Sequence, residues 1–271
     1  MHEINFEIAE KVIIHFIRDS ITKNNFKNGI IGVSGGLDSA VVLVLMQRAL
    51  GNNHTLALIL PYKTSSPESL RQAKLICNQL KVDAEVIDIS PSVDAYFDRF
   101  PTDSLILIGN KCARERMSIL YDFSVRKNAL VVGTSNKSEL LIGYSTLYGD
   151  SAAAFFPIGD IYKTQLFDFA AYLDIPEEII QKKPSADLWK DQTDEGEIGI
   201  SYRDLDEILY NLVDLRKKAE DIEKMGHKKE KIEKIKKMIM DSQYKRTMPP
   251  IVKFHNRTIG LDFRYLRDWN K

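Results

Sequence analysis

Residues 32–39 carry small, hydroxyl-bearing and acidic side chains whose spacing suits phosphate chemistry. The run consists of Gly32-Val33-Ser34-Gly35-Gly36-Leu37-Asp38-Ser39. A short β-branched run precedes it and a longer apolar run over 40–46 follows it, which predicts strand, glycine turn and helix. Such a turn directs free backbone N–H groups and the positive helix end at one place, where a phosphate binds well. Asp38 suits that site if a cation lies between its carboxylate and the phosphate.

Known glycine motifs account for this run poorly. A Walker loop requires a lysine after the last glycine, and a dinucleotide fingerprint requires a different glycine spacing. The spacing also fits a G-x-S-x-G nucleophile elbow, in which Ser34 attacks an ester and His54, His227 or His255 completes a triad. An elbow normally follows several strands, whereas one strand is predicted here, and Asp38 would have no role.

A plain structural turn is the remaining alternative for residues 32–39. Two adjacent glycines flanked by two serines and an aspartate are costly in backbone entropy for a simple connection. We therefore favour a binding role.

Bulk composition excludes several classes of protein. The chain has 271 residues and zero formal net charge, so no global field attracts nucleic acid or anionic membrane. No apolar run approaches the roughly 18 residues of a membrane span, and the polar N-terminus is unlike a signal peptide. Cys77 and Cys112 are too far apart in sequence for a metal cluster, and we expect a reducing cytoplasm.

Predicted strands and helices alternate along the chain. Strands are expected at 30–33, 54–60, 82–89 and 129–133, with helices at 3–23, 40–50, 67–80, 92–99 and 105–121. This alternation predicts an α/β fold with a doubly wound parallel sheet and helical additions at both ends. Residues 205–240 are Lys/Glu-rich and helical; a solvated helical face is the favoured interpretation, and a nucleic-acid patch the alternative.

Two further segments could complete a phosphate site. Arg114 and Arg116 lie near a predicted helix start and could hold an anionic group, although surface charge pairs are an equal alternative. Thr134 and Glu139 follow the fourth strand, so they lie at the same sheet edge as the glycine turn. Asp38 together with Glu139 would suit Mg²⁺ that bridges phosphates, whereas Glu139 alone is more simply a solvated helix residue.

Residues 143–150 are too rich in glycine and tyrosine for a core element and are predicted to form a binding loop. Lys163 begins a predicted helix and could place a point charge on a phosphate, or be an ordinary surface lysine.

Residues 34–39 resemble the S-G-G-x-D-S pyrophosphate loop of the N-type ATP pyrophosphatases, which split ATP between its α- and β-phosphates. Four later segments resemble one family within that superfamily, the ammonia-dependent NAD synthetases, along most of residues 30–200. These segments are G-N-x-x-A-R-x-R-M at 109–117, G-T-x-N-x-x-E at 133–139, G-Y-x-T-x-Y-G-D at 143–150 and P-I-x-x-x-x-K-T-Q at 157–165.

The resemblance implies a Rossmann-like fold of the adenine nucleotide alpha-hydrolase type, with one domain over 1–271 and a helical insertion or appendage at 205–245. It implies a C–N ligase that amidates deamido-NAD with ammonia, uses ATP as co-substrate and releases AMP and pyrophosphate. Residues 32–39, Thr134, Lys163 and Ser185 then correspond to ATP contacts, and Asp38 and Glu139 to Mg²⁺ ligands.

The resemblance also implies a homodimer with the substrate at the interface. Residues corresponding to deamido-NAD contacts are Asn110, Arg114, Tyr144, Asp150 and Lys245. No side-chain nucleophile is needed, and the chain length leaves no room for a glutaminase domain, so free ammonia is the expected nitrogen source.

Some positions depart from the family pattern. Leu147 and Ala154 stand where many members carry a lysine and an acid, and Tyr244 replaces a histidine before Lys245. How the nicotinate end is held therefore stays open. Another amidating or tRNA-modifying ATP pyrophosphatase and a non-enzymatic adenine-nucleotide sensor are the alternative functions.

Overall fold

The computed structural model describes residues 3–185, 192–259 and 263. Four parallel strands form its sheet: β1 (Asn28–Gly32), β2 (Thr55–Ile59), β3 (Ala84–Val86) and β4 (Ala129–Val131). Their spatial order is β3-β2-β1-β4, so the chain winds outward from β1 on one side and then places β4 on the other. A parallel sheet binds ligands at such a switch point, beyond the carboxyl ends of the strands.

Helices cover the connections between strands and extend beyond the sheet. They are α1 (Phe6–Thr22), α2 (Leu37–Leu50), α3 (Pro67–Leu80), α4 (Ser90–Phe97), α5 (Leu105–Arg126), α6 (Lys137–Ile142), α7 (Lys163–Tyr172), α8 (Glu177–Ile180), α9 (Asp194–Ile198), α10 (Tyr202–Leu209), α11 (Ala219–Lys224) and α12 (Lys229–Asp241). No helix within the described residues has the length and apolar character that crossing a membrane requires.

Alternate side chains of the central strands pack on opposite faces of the sheet. Ile31 and Ile59 join the core built with α1, α2, α3 and α7, whereas Ile30 and Leu58 join the core built with α4 and α5. Both faces are thus covered, which explains the continuous apolar character of the strands. The prediction of a doubly wound α/β fold is confirmed.

The predicted placement of two arginines at a helix start is wrong. Helix α5 begins at Leu105, so Arg114 and Arg116 lie near its middle rather than at its start. The positive end of the helix dipole therefore adds nothing to anion binding at these two arginines.

The Lys/Glu-rich region has its own apolar core. Helices α10, α11 and α12 contribute Leu205, Ile222 and Ile232, which pack with Ile142 of α6. The helical run is interrupted where Arg216 and Gly226 adopt φ values of 51° and 102°. The lysine and glutamate side chains lie outside this core, but the region is also a packed support for α6. Its status as an insertion or appendage within a single domain stays a prediction.

Candidate active site

A cavity of about 500 Å³ lies beyond the carboxyl ends of β1, β2 and β4. Most of the predicted site residues line it, from the glycine turn, the segment after β4 and the predicted binding loop. These residues are Gly32, Val33, Ser34, Gly36, Leu37, Asp38, Ser39, Asn110, Thr134, Glu139, Tyr144, Asp150, Lys163, Ser185 and Lys245. Tertiary structure therefore brings the phosphate loop and the loop segments together at one concave surface.

The glycine turn is held in shape by its two serines. Ser39 Oγ donates to the Gly36 carbonyl at 3.0 Å, and the backbone N–H groups of Ser34 and Gly36 donate to the Ser39 and Ser34 hydroxyls. Gly36 caps α2 without a side-chain hydrogen bond, so the first amides of this helix stay available to an anion.

Gly35 is required by backbone geometry. Its φ is +77°, and a Cβ there would lie 2.2 Å from the Ser69 carbonyl oxygen. Lys182 Nζ lies 2.7 Å from Ser69 Oγ and 3.4 Å from the Gly35 carbonyl oxygen, which adds a positive charge beside the turn.

Lys163 joins the two acidic residues of the site. Its ammonium forms an ion pair with Asp38 and lies 3.8 Å from Glu139 Oε1, while only 3 % of its side chain is exposed. Burial lowers the pKa of Lys163, but the carboxylates of Asp38 and Glu139 outweigh burial and hold the pKa above its usual value. Lys163 is therefore a fixed positive charge at the cavity wall.

Asn136 positions both carboxylates. Its side chain caps α6 by accepting the Glu139 N–H at 3.0 Å, and its Nδ2 donates to Asp38 Oδ1 at 2.9 Å. Burial, together with the charge of Asp38, raises the pKa of Glu139 to about 8, although Lys163 opposes this increase.

Asp38 and Glu139 form a donor set that fits Mg²⁺. This ion is commonly held by one or two carboxylates plus substrate phosphates and water, rather than by a cage of protein ligands. Across residues 3–185, 192–259 and 263, no group of three or more His, Cys, Asp or Glu side chains is placed to hold a metal ion. A metal here would therefore need the phosphates of the nucleotide to complete its coordination.

Three predicted substrate residues hold the binding loop. Asn110 Oδ1 accepts from Thr146 Oγ1 at 2.7 Å, and Asp150 Oδ1 accepts from the Thr146 N–H at 2.7 Å. Lys245 Nζ donates to the carbonyl oxygens of Gly143 and Ser145 at 2.7 and 2.6 Å. The side chains of Asn110, Asp150 and Lys245 thus shape the loop as well as line the cavity.

Arg114 does not line the cavity of the single chain. It is exposed, and its Nε donates to the Leu147 carbonyl at 3.3 Å. Arg116 lines the cavity instead and donates from Nε to the Leu60 carbonyl at 2.9 Å.

Acidic residues that the sequence motifs did not identify also line the cavity. Tyr144 Oη donates to Glu197 Oε2 at 2.7 Å and also lies 3.1 Å from Asp194 Oδ1. The acid-rich start of α9 is the sequence signal that could have drawn attention to both acids.

Comparisons with known proteins give a consistent family. The NAD synthase family model matches residues 9–249. An NH(3)-dependent NAD(+) synthetase of Chlorobium phaeobacteroides (strain BS1) is 47 % identical over 268 residues, covering 99 % of this chain and 97 % of the relative.

Two solved structures covering 93 % of this chain and 100 % of their own are also similar. The NH3-dependent NAD synthetase of Campylobacter jejuni, solved in complex with the nitrate ion, has a TM-score of 0.80 and 33 % identity. An NMN synthetase of Francisella tularensis has a TM-score of 0.82 and 30 % identity.

Proposed function

We propose that this chain, which belongs to the NAD synthase family, makes NAD⁺ from deamido-NAD, ATP and ammonia and releases AMP and pyrophosphate. The observation that carries this proposal is the meeting of the glycine turn with Asp38, Glu139 and Lys163 in one cavity. Such a site can hold a polyphosphate and offset its charge.

The chemistry follows from the poor reactivity of a carboxylate. A nicotinate carboxylate oxygen attacks the α-phosphorus of ATP, and the bond to the β-phosphate oxygen breaks to release pyrophosphate. Ammonia then attacks the acyl carbon of the adenylate, loses a proton and expels AMP. Neither step needs a side-chain nucleophile, so the protein acts by positioning and by electrostatic stabilisation.

Each residue of the phosphate site has a defined task in this proposal. The available backbone N–H groups at the start of α2 hold the departing pyrophosphate, and Lys163 offsets its charge. Thr134 and Ser185 supply hydroxyl contacts to ATP. Asp38 and Glu139 would hold Mg²⁺, which would supply further neutralisation of phosphate charge.

The binding loop is proposed to hold deamido-NAD. Tyr144 offers an aromatic face at the cavity wall, and Asn110, Asp150 and Lys245 fix the loop around the substrate. Arg116 supplies a cation in the same wall. The two buried, unpaired thiols of Cys77 and Cys112 accord with a reducing cytoplasm as the proposed compartment.

A homodimer is proposed through the exposed apolar side of α5. Ile106, Leu107 and Val125 are 68 %, 55 % and 82 % exposed, and Tyr96 and Phe100 are exposed nearby. Leu107 and Val125 are 18 residues apart, which is five helical turns, so they share one side of α5, and large exposed apolar side chains on one side of a helix are typical of an interface. Ile106 also lines the cavity, so a second copy on this side would approach the substrate and Arg114. Light scattering tests this proposal: Val125→Asp should yield monomers, and a wild-type monomer at all concentrations would contradict it.

The activity is tested by an assay with ammonia and glutamine in parallel arms. We expect Mg²⁺-dependent NAD⁺, AMP and pyrophosphate in equal amounts with ammonia, and far slower product formation with glutamine. No NAD⁺ from either nitrogen source would refute the proposal. Because one structural neighbour is named an NMN synthetase, a third arm replaces deamido-NAD with nicotinate mononucleotide. Faster turnover of the mononucleotide would favour that second candidate function.

A further inference from the structure

Asp206 is a buried carboxylate that lies outside the cavity wall. It belongs to α10, in the Lys/Glu-rich region, and none of its surface is exposed. Burying a carboxylate is costly unless several hydrogen bonds compensate it, so such a group has a specific structural or functional task.

The hydrogen bonds of Asp206 lead to the phosphate site. Its Oδ1 accepts from Ser138 Oγ at 2.5 Å, and its Oδ2 accepts from both the N–H and the Oγ1 of Thr164 at 2.8 Å. Ser138 Oγ in turn accepts from the Lys163 N–H at 2.9 Å. Ser138 is itself fully buried, so water does not compete for these bonds.

Two of these contacts are next in sequence to the functional side chains. Ser138 immediately precedes Glu139 on α6, and Thr164 immediately follows Lys163 on α7. The Thr164 amide is one of the first-turn donors of α7 that has no partner within the helix. One carboxylate therefore caps α7 and ties its first turn to the first turn of α6.

We propose that Asp206 is a positioning residue that sets the separation of Lys163 from Glu139 for ATP binding and adenylation. This inference rests on the proposed function and assigns a task to the helical unit α10–α12. Loss of the carboxylate leaves the Thr164 amide and the Ser138 hydroxyl without their acceptor. The starts of α6 and α7 can then shift relative to each other, because the apolar packing of Tyr162 in the helical core does not replace these directional hydrogen bonds.

Kinetics of Asp206→Ala test the proposal. A displacement of about 1 Å at the reacting groups can cost about 100-fold in rate, so we expect kcat to fall by about that factor and KM for ATP to rise. KM for deamido-NAD should change by less than about twofold, because the binding loop is held by other residues. Asp206→Asn keeps the volume and one carbonyl acceptor, and should be intermediate in both parameters.

A stability control separates positioning from general loss of packing. Ile232→Val removes one methyl group from the same helical core, on α12, which contributes none of the hydrogen bonds of Asp206. It should lower the unfolding temperature while leaving kcat and KM for ATP unchanged when measured well below that temperature. Equal kinetics for Asp206→Ala and Ile232→Val would overturn the proposal.

A double-mutant cycle tests whether Asp206 acts through Ser138. Ser138→Ala should lower kcat/KM for ATP, and adding Asp206→Ala should lower it by less than the product of the two separate factors, because both act through one network. Independent, multiplicative losses would contradict the proposal. If Asp206→Ala does not fold, the cycle is run with Asp206→Asn.

Calorimetry with ATP and Mg²⁺ keeps this test separate from the proposed function. ATP binding can be measured without deamido-NAD. Weaker binding of ATP to Asp206→Asn therefore supports positioning even if the wild-type chain makes no NAD⁺. Unchanged binding together with unchanged turnover would refute it.

Discussion

The ammonium group of Lys163 is paired with the carboxylate of Asp38, although 125 residues separate them in sequence. Both residues lie in the first turn of a helix, Asp38 in α2 and Lys163 in α7. An acid is favourable at a helix N-terminus, whereas a cation there opposes the helix dipole. The position of Lys163 is thus unfavourable for α7 by itself, and its carboxylate partners and its role at the phosphate site explain it.

Lys163→Met should abolish most of the activity. Removing the ammonium leaves Asp38 and Glu139 facing each other without their shared counterion. It also removes the positive charge that stabilises the departing pyrophosphate. We expect kcat to fall by about 10²- to 10³-fold, the loss typical of deleting one electrostatic contact to a transition state. Steady-state pyrophosphate release measures this change.

Lys74→Met is the matched control, since Lys74 is exposed on α3, a helix on the same face of the sheet as α7. Its kcat should equal that of the wild-type chain. A normal kcat for Lys163→Met would show that Lys163 does not stabilise the phosphates during the reaction.

Glu139 makes stability depend on pH when nucleotide and metal are absent. Its pKa is about 8 in the folded chain, because burial and the charge of Asp38 raise it from the ordinary value of 4.5. Between these two values the folded chain binds a proton that the unfolded chain has lost, so the free energy of unfolding falls as pH rises.

Urea unfolding from pH 5 to pH 8.5 measures this effect. Other buried acids, including Asp150 and Asp194, have raised pKa values and act in the same direction. The wild-type chain is therefore compared with Glu139→Gln, whose free energy of unfolding should fall less as pH rises. Parallel curves would show that Glu139 does not retain a proton in the folded state.

Gly35→Ala should weaken ATP binding sharply. The new Cβ would lie 2.2 Å from the Ser69 carbonyl oxygen, so the phosphate turn or α3 must move. Gly51→Ala is a well-matched control because Gly51 has nearly the same φ, +78°, but a Cβ added there would meet no atom within 4 Å.

Both alanine variants carry the strain of a positive φ, about 1–3 kcal/mol in unfolding free energy. Only Gly35→Ala should also raise the Kd for ATP, by about tenfold or more, which corresponds to at least about 1.4 kcal/mol. Calorimetry with ATP and urea unfolding of the same samples separate the two effects. An equal loss of ATP affinity in both variants would mean that the contact with Ser69 is unimportant.

Lys245→Met should affect deamido-NAD more than ATP. Lys245 holds the carbonyl oxygens of Gly143 and Ser145, and a hydrogen bond from a charged donor contributes about 1.5–3 kcal/mol. The loop then loses its ordered shape, and KM for deamido-NAD should rise by about tenfold.

Lys237→Met serves as the comparison, because Lys237 is exposed on α12 and pairs with Asp241. A change in KM for ATP alone would place Lys245 with the phosphate site instead of the binding loop.

Local sequence determined much of this protein. The strand–glycine turn–helix at 30–50 and the alternation of elements predicted the doubly wound sheet, because burial on both faces and helical periodicity act on a few consecutive residues. Strand order then placed the turns after β1 and β4 at one edge. Residue spacing also identified the phosphate loop, Thr134, Glu139 and Lys163 as candidates for one site.

Tertiary structure alone decided which side chains meet. Arg114 and Arg116 are two positions apart, about 200° around a helix, and only the packing of α5 determines that Arg116 lines the cavity. Asp206 gave no signal in sequence, because an aspartate in a Lys/Glu-rich helix is ordinarily exposed. It becomes informative when α10 packs against α6 and α7, since its hydrogen bonds then join residues that lie far apart along the chain.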